Sequence, residues 1–306
     1  RKMLSLDKTY EEKDLLKWRG KEDVISVFKI DGSSCSLIYE DGKLVMAKTR
    51  GDGSFGENVT AKAMFIESIP AHVGSGNFEV RGEIYCTESG FSHLAEEMKS
   101  RGLETPNSQR NIVAGLLGRK ENIHLAKHLS FKAFDYISEI PVKFEHEKLD
   151  KLEKLGFKIP DYVIHKTDAS IKEVIAEAQE FMSKGDYLID GLVFVIDKNH
   201  LHDELGETAH HPRYKIAFKF AGETKNTLIN SIEWGVSRNG RLTPVAHVEP
   251  VELSGAMISR VTLHNYGIVK NFDLKVGDEI EIIRSGEVIP KFLSVVKKAQ
   301  GSFTAP

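Results

Sequence analysis

Helical periodicity stops at Gly222. Before that point apolar residues recur at helical spacing. After it only short β-rich runs remain, so the chain is expected to fold as two bodies of different class. Its 306 residues suit two domains. In the first body, Thr9 and Glu12 have capping-box spacing and open a helix through Leu15, Leu16 and Trp18. Phe91, Leu94, Ala95 and Met98 form a second helical face that Gly102 can stop, and Ile171, Val174, Ile175 and Ala178 form a third. Strands are expected at Val24–Ile30, Cys35–Tyr39, Lys43–Thr49, Phe78–Tyr85, Leu192–Ile196 and Tyr214–Phe220. Asp41-Gly42 between two of them signals a hairpin. Beyond Gly222, the runs Thr227–Trp234, Thr243–Pro250, Glu279–Arg284 and Phe292–Val296 alternate with turns at Asn239-Gly240, Ser254-Gly255, Gly277-Asp278 and Ser285-Gly286. Five or so short strands suggest a small barrel of the OB type. The expected fold class is α+β, antiparallel sheets with helices over residues 1–222, followed by an all-β OB-fold barrel over 223–306.

Composition narrows the function classes. With 41% hydrophobic and 28% charged residues the chain can bury a core of real size. No stretch of about 18 apolar residues exists, so no membrane span is expected, and no charged-then-apolar leader opens the chain. The net charge of −3 supplies no global basic field, so any grip on nucleic acid must come from local patches. Two cysteines, Cys35 and Cys86, cannot form a four-thiolate zinc site and read as reduced thiols of a cytoplasmic-type protein.

Chemistry has several candidate seats, each with an ordinary alternative. Lys29 and Asp31 in Lys29-Ile30-Asp31-Gly32 share a strand face. A lysine in a closed pocket can act as a nucleophile, and a nearby carboxylate can orient it or reach a metal. The plain alternative is a solvated lysine before a turn. Arg50 in Thr49-Arg50-Gly51-Asp52-Gly53 is a forked donor beside glycines that let backbone approach a phosphate or ribose, or else part of a hairpin turn. Arg81 and Glu83 share one face of their strand, where a cross-strand ion pair is the ordinary reading. Asp190-Gly191 enters an apolar strand at an edge where plain turns also occur. Lys215 and Lys219 share a face opposite Tyr214, Ile216, Phe218 and Phe220, which is a solvent face or a phosphate clamp. Taken singly, each ordinary reading wins.

Order and spacing change that balance. Met3–Asp7, Lys29-Ile30-Asp31-Gly32, Thr49–Gly53 with Gly56–Thr60, Glu79–Glu83, Arg110-Asn111 with Ala114-Gly115, Ile189-Asp190-Gly191 and Pro212–Phe220 follow one another in a set order. So do Leu242–Ala246, Glu249–Val251, Ser259–Asn265 and Gly286–Pro290. Over nearly its whole length the chain resembles the NAD-dependent DNA ligases, within the covalent nucleotidyltransferase superfamily. So many ordered matches are not coincidence.

The resemblance implies an adenylation domain of nucleotidyltransferase type, with ATP-grasp-like antiparallel sheets and helices, before the OB barrel. It implies a polynucleotide ligase that seals 3′-hydroxyl/5′-phosphate nicks through a lysyl-AMP intermediate formed from NAD. Lys29, Asp31 and Lys219 are implied as catalytic. Lys29, Arg50, Glu83, Asp190, Lys215, Lys219 and Arg110 are implied as nucleotide-binding, and Asp31, Glu83 and Asp190 as ligands of Mg²⁺. No zinc is expected. The partner would be nicked duplex DNA or RNA, bound by a monomer with no membrane association, in the cytoplasm of a bacterium or as a viral or phage protein in its host. The alternatives are a ligase of RNA ends, a weakened module that grips nicks without chemistry, and a capping-type enzyme that would form a GMP adduct.

Three positions depart from the family pattern. Val27 stands where a glutamate normally precedes the nucleophile by two. Val195 stands where a lysine follows the fourth motif's aspartate by five, with Lys215 or Lys198 as substitutes for that cation. Gly118 stands where a second arginine is expected, with Arg119 one residue late. The family's nicotinamide-gripping domain would precede Arg1, and its zinc-finger, helix-hairpin-helix and BRCT modules would follow Pro306. The chain is therefore expected to be a cut-down version or a minimal enzyme of viral or phage type.

Overall fold

Two sheets of different make-up build one unit, Arg1–Lys219, and a closed barrel builds the other, Phe220–Pro306. The computed structural model describes residues 2–104, 109–220, 223–236, 240, 242–253, 256–284 and 290–301. The expected turn residues Asn239, Ser254-Gly255 and Ser285-Gly286, the 286–289 stretch, Gly222 and the Arg110 side chain lie outside the described residues.

In chain order the first unit opens with β1 (Asp7–Thr9), α1 (Glu12–Arg19), β2 (Val24–Ile30), β3 (Ser33–Glu40), β4 (Lys43–Thr49), α2 (Thr60–Ala63) and β5 (Phe78–Tyr85). There follow α3 (Glu88–Ser100), α4 (Gln109–Gly118), a 3-10 turn (Ile123–His128), β6 (Ser130–Ile137), α5 (Glu145–Lys154) and β7 (Tyr162–His165). It closes with α6 (Asp168–Lys184), β8 (Ile189–Ile196), α7 (Asn199–Leu205) and β9 (Lys215–Lys219). One sheet has the order β1-β9-β8-β2-β7, antiparallel except for β1 against β9; the other is antiparallel throughout, in the order β4-β3-β5-β6.

Local chemistry explains most of these elements. At the β3–β4 hairpin Asp41 and Gly42 have φ of 46° and 71°, the left-handed pair that matches strand twist. Thr87 Oγ1 accepts from Gly90 N–H at 3.0 Å to cap α3, and Gly102 at φ 67° stops it. The first helix departs from expectation. Thr9 is not its cap but the end of β1, paired with Phe218 of β9, and α1 begins after Glu11 without a side-chain cap. A strand partner far along the chain outbids a local capping pattern.

The second unit contains β10 (Glu223–Val236), β11 (Leu242–Leu253), β12 (Ala256–Thr262), α8 (Tyr266–Asn271), β13 (Glu279–Arg284) and β14 (Lys291–Lys297). The strands close as β10-β11-β12-β14-β13, the last pairing back onto β10. Closure leaves no sheet edge among them. Ile229, Ala246, Val261, Leu263, Ile280 and Ile282 fill the interior. The short helix α8 was not expected from periodicity; Asn265 caps it, accepting from Ile268 N–H at 3.1 Å.

Three strands prepare the site. β2, β8 and β9 lie side by side in exact register over three rungs: Lys29, Gly191 and Lys219; then Val27, Val193 and Ala217; then Ile25, Val195 and Lys215. These residues share a face because side chains alternate along a strand. The register of β2 on β8 then slips, from Lys29 opposite Gly191 to Ile30 opposite Ile189. Asp190 is the extra residue of that bulge, a device that re-aims a side chain. After Asp31 the chain crosses from the first sheet to the second at Gly32. A Cβ there would lie 2.1 Å from Ile84 O, so only glycine lets β5 approach this closely.

Candidate functional site

The bulge turns Asp190 onto two lysines. Its Oδ1 lies 3.0 Å from Lys29 Nζ and its Oδ2 3.0 Å from Lys219 Nζ. The carboxylate is 6% exposed, while Lys29 and Lys219 are 28% and 19% exposed. A nearly buried anion thus holds two cations whose tips still reach the adjoining space. That space is a cavity of about 850 Å³ lined by Lys29, Asp31, Asp190 and Lys219 from the first sheet and by Ser34, Arg50 and Glu83 from the second. A nucleotide fits in such a volume.

Across the cavity, Ser34 and Glu83 are register partners on β3 and β5, and Ser34 Oγ donates to Glu83 Oε2 at 2.7 Å. Burial pushes the Glu83 carboxyl up to about 7, against the opposing pull of Ser34 and of the Lys29 and Arg50 charges. Arg50 is anchored by its backbone N–H donating to Ser34 O at 3.0 Å, which sets its side chain at the cavity mouth. Arg81 stands directly across from Asp135 of β6, whose carboxyl its charge helps to keep ionised. It is buried, donates to Glu79 Oε1 of its own strand at 2.7 Å, and reaches Lys2 O at 3.1 Å.

The raised Glu83 carboxyl has a stability consequence. In the folded state it holds its proton up to about pH 7, whereas unfolded it loses it near 4.5, so between those values the native state binds more protons and stability falls as pH rises. The full penalty is present above pH 7. Glu83→Gln keeps a partner for Ser34 and removes the ionisation. The variant is expected to be more stable than the parent by about 1–3 kcal/mol at pH 8, a range discounted for partial exposure, and equal to it near pH 4. Denaturant unfolding of both proteins at the two pH values checks this. An unchanged difference across pH would show that Glu83 ionises normally.

Of the sequence-derived residues, Lys29, Asp31, Arg50, Glu83, Asp190, Lys215 and Lys219 line this one cavity. The Arg110 side chain is outside the described residues. Lys198 is not at the cavity wall; it pairs with Glu22 at 3.0 Å, which removes it as a substitute for the cation absent at Val195. The expected metal trio of Asp31, Glu83 and Asp190 does not come together. Among the described residues no three His, Cys, Asp or Glu side chains are grouped to hold a cation. Asp190 lies against two lysines and Glu83 holds a hydroxyl, and one or two of these carboxylates together with nucleotide phosphates would be enough to hold a magnesium ion. Cys35 and Cys86 are free and buried, and burial pushes their thiols up to about 12 and about 11, which leaves them inert.

Sequence reasoning missed Asp135 and Glu145, which line the far end of the cavity around Lys215, and Lys148 and His202 beside them. Lys215 lies 3.1 Å from Glu145 Oε1 and 3.6 Å from Asp135 Oδ2, while Lys148 lies 2.8 Å from Glu145 Oε2 and 3.1 Å from Asp135 Oδ1. His202 stacks on Tyr214 beside them, ring centroids 4.0 Å apart. Glu145 is placed by the start of α5: its N–H donates to Asp197 O at 2.7 Å, and the next N–H, of His146, donates to Asp197 Oδ1 at 3.1 Å.

Comparison with known proteins yields consistent matches. The profile of the NAD-dependent DNA ligase adenylation domain matches residues 1–223, and that of the NAD-dependent DNA ligase OB-fold domain matches residues 226–303. A DNA ligase of Koribacter versatilis is 35% identical over 316 residues, covering 96% of this chain and 47% of the relative. One of Acidobacterium capsulatum is 36% identical over 324 residues, covering 98% and 48%. The chain therefore spans about half the length of the curated relatives it matches. A solved structure from a study of minimal Lig E DNA ligases superposes with a TM-score of 0.59 at 15% identity, over 95% of this chain and 98% of that one. The fold is thus that of a nucleotidyltransferase-type adenylation domain followed by an OB barrel.

Proposed function

The chain belongs to the NAD-dependent DNA ligase family, and on that premise we propose that it seals 3′-hydroxyl/5′-phosphate nicks in duplex DNA, using NAD as the source of AMP. The observation that carries the reading is the pair of lysines on Asp190 facing Glu83 and Arg50 across a nucleotide-sized cavity.

In the first step Lys29, once its ammonium has released a proton to water, attacks the α-phosphorus of NAD through its freed nitrogen lone pair. The new N–P bond forms as the P–O bond to nicotinamide mononucleotide breaks, leaving AMP on the lysine as a phosphoramidate. In the second, a 5′-phosphate oxygen at the nick attacks the same phosphorus and the lysine departs. In the third, the 3′-hydroxyl attacks the 5′-phosphorus and AMP is released. Each step builds negative charge on phosphoryl oxygens, and Lys219 and Arg50 are two of the cavity-lining cations that would meet it. Asp190 holds Lys29 and Lys219 together and so sets the direction of attack. Glu83 and Ser34 offer acceptors and a hydroxyl to the ribose. The barrel supplies the local surface that grips the nick, since the net charge of −3 supplies no global attraction.

The test is intact mass of the full-length protein after incubation with NAD and Mg²⁺, and separately with ATP, followed by sealing of nicked duplexes with deoxyribose or ribose ends. The expected result is one AMP added from NAD and sealing of the deoxyribose nick. Absence of an adduct from both nucleotides would leave a nick-binding module, and a GMP adduct in a parallel incubation with GTP would leave a capping-type enzyme. Preference for ribose ends would make it a ligase of RNA.

A further inference from the structure

The far end of the cavity is charged in a way that transfer of AMP to Lys29 does not need. Two carboxylates and two ammonium groups stand together there: Asp135, Glu145, Lys148 and Lys215. Their side chains are only 13%, 3%, 18% and 14% exposed. Glu145 Oε2 lies against Lys148, yet it accepts no directed hydrogen bond among the described residues. Such a cluster is expensive to bury, and apolar residues of similar size often serve stability as well. Asp135, Glu145 and Lys215 nevertheless form part of the cavity wall.

The three rungs of the sheet give the spacing. Lys29 and Lys219 stand on the first, the apolar side chains of Val27, Val193 and Ala217 on the second, and Lys215 on the third. Four residues along a strand span roughly 13 Å. A nucleoside monophosphate bonded to Lys29 at one end lays its base over the apolar rung and presents the outer edge of the base to the third. That edge of adenine offers a donor and an acceptor side by side: the exocyclic amine and ring N1. Val27 and Val195 have nothing to offer either group. Glu145 and Lys215, in contact at 3.1 Å, offer an acceptor and a donor side by side.

We infer that Glu145 and Lys215 read the outer edge of the adenine, the carboxylate accepting from the exocyclic amine and the ammonium donating to ring N1. This rests on the ligase reading above. Asp135 and Lys148 are positioning residues that hold the pair in place. The cation absent at Val195 is regained one strand over, since Lys215 is its direct register partner on β9.

The probe is nicotinamide hypoxanthine dinucleotide, in which a carbonyl oxygen replaces the amine and ring N1 carries a proton, so donor and acceptor are exchanged. With full-length protein, adduct formation from this analogue is expected to be at least ~100-fold less efficient than from NAD, because the pair is left facing the wrong groups. Glu145→Gln, whose amide can donate as well as accept, is expected to collapse that ratio below about tenfold, by losing rate with NAD and gaining it with the analogue. A merely structural role would lower both rates by one factor and leave the ratio standing, which would overturn the inference. Lys215→Gln carries the same comparison if Glu145→Gln does not fold. A parent ratio under tenfold also overturns the inference while leaving the ligase reading intact. Absence of adduct from both dinucleotides overturns the ligase reading, and this inference with it.

Discussion

Lys29→Ala is expected to gain no AMP from NAD under conditions that adenylate every parent molecule, and to seal no nicks. The loss is complete rather than partial because the lysine supplies the bond itself; no neighbouring group can take its place. Lys219 is held 3.0 Å from the other oxygen of Asp190, on the next-but-one strand, where it can steady charge but not occupy the same line of attack. Lys29→Arg is expected to be equally inactive, since a guanidinium does not shed its proton to become a nucleophile. The fold should survive both changes. Lys29 is 28% exposed, and Asp190 keeps Lys219 as its partner when the amine is removed. Intact mass and thermal unfolding, measured on the same samples, separate loss of chemistry from loss of structure. An AMP adduct on the alanine variant would place the nucleophile elsewhere.

The second large effect is expected at Asp190. Asp190→Asn keeps the size of the side chain and the bulge that aims it, but leaves the two lysines without the anion they share. The ammonium groups then separate and the attacking nitrogen loses its alignment, a displacement worth about 100-fold in rate even when it is only ~1 Å. The rate of single-turnover adenylation is expected to fall by that factor, while the concentration dependence on NAD changes less than tenfold. Stability should drop by only about 1–2 kcal/mol, because both lysine tips can hydrate; a fully buried pair would cost more. A single-turnover rate within threefold of the parent would show that Asp190 plays no part in orienting Lys29.

Part of the site was legible before any fold was known. Lys29, Arg50, Glu83, Asp190 and Lys219 each sit in a short motif at a strand end, and it was the order of the motifs, not any one of them, that set them apart from solvated turns. The structure brings all five to one cavity. Asp135, Glu145 and Lys148 carried no such mark. An acid in the first turn of a helix, such as Glu145, is what the helix dipole alone would favour, so its sequence position gives no reason to look inward. Asp135 lies in an alternating strand whose polar face reads as solvated. The pairing of β8 with β9 places Lys215 beside Val195, the anchoring of α5 to Asp197 places Glu145, and the pairing of β6 with β5 places Asp135.

The same division runs through the fold. The sequence alone determined the two-part architecture, the Asp41-Gly42 hairpin, the helical face of α3 with its stop at Gly102, and the β-rich second half, because these depend on φ, ψ and hydrophobic period within a few residues. Tertiary structure decided that Thr9 ends a strand, that Asp190 is the extra residue of a bulge, and that Lys215 meets two buried carboxylates. Each of those outcomes is a register or a pairing between segments far apart in the chain. Short-range preferences worth a fraction of a kilocalorie give way there to the larger cost of leaving strand hydrogen bonds and buried charges without partners.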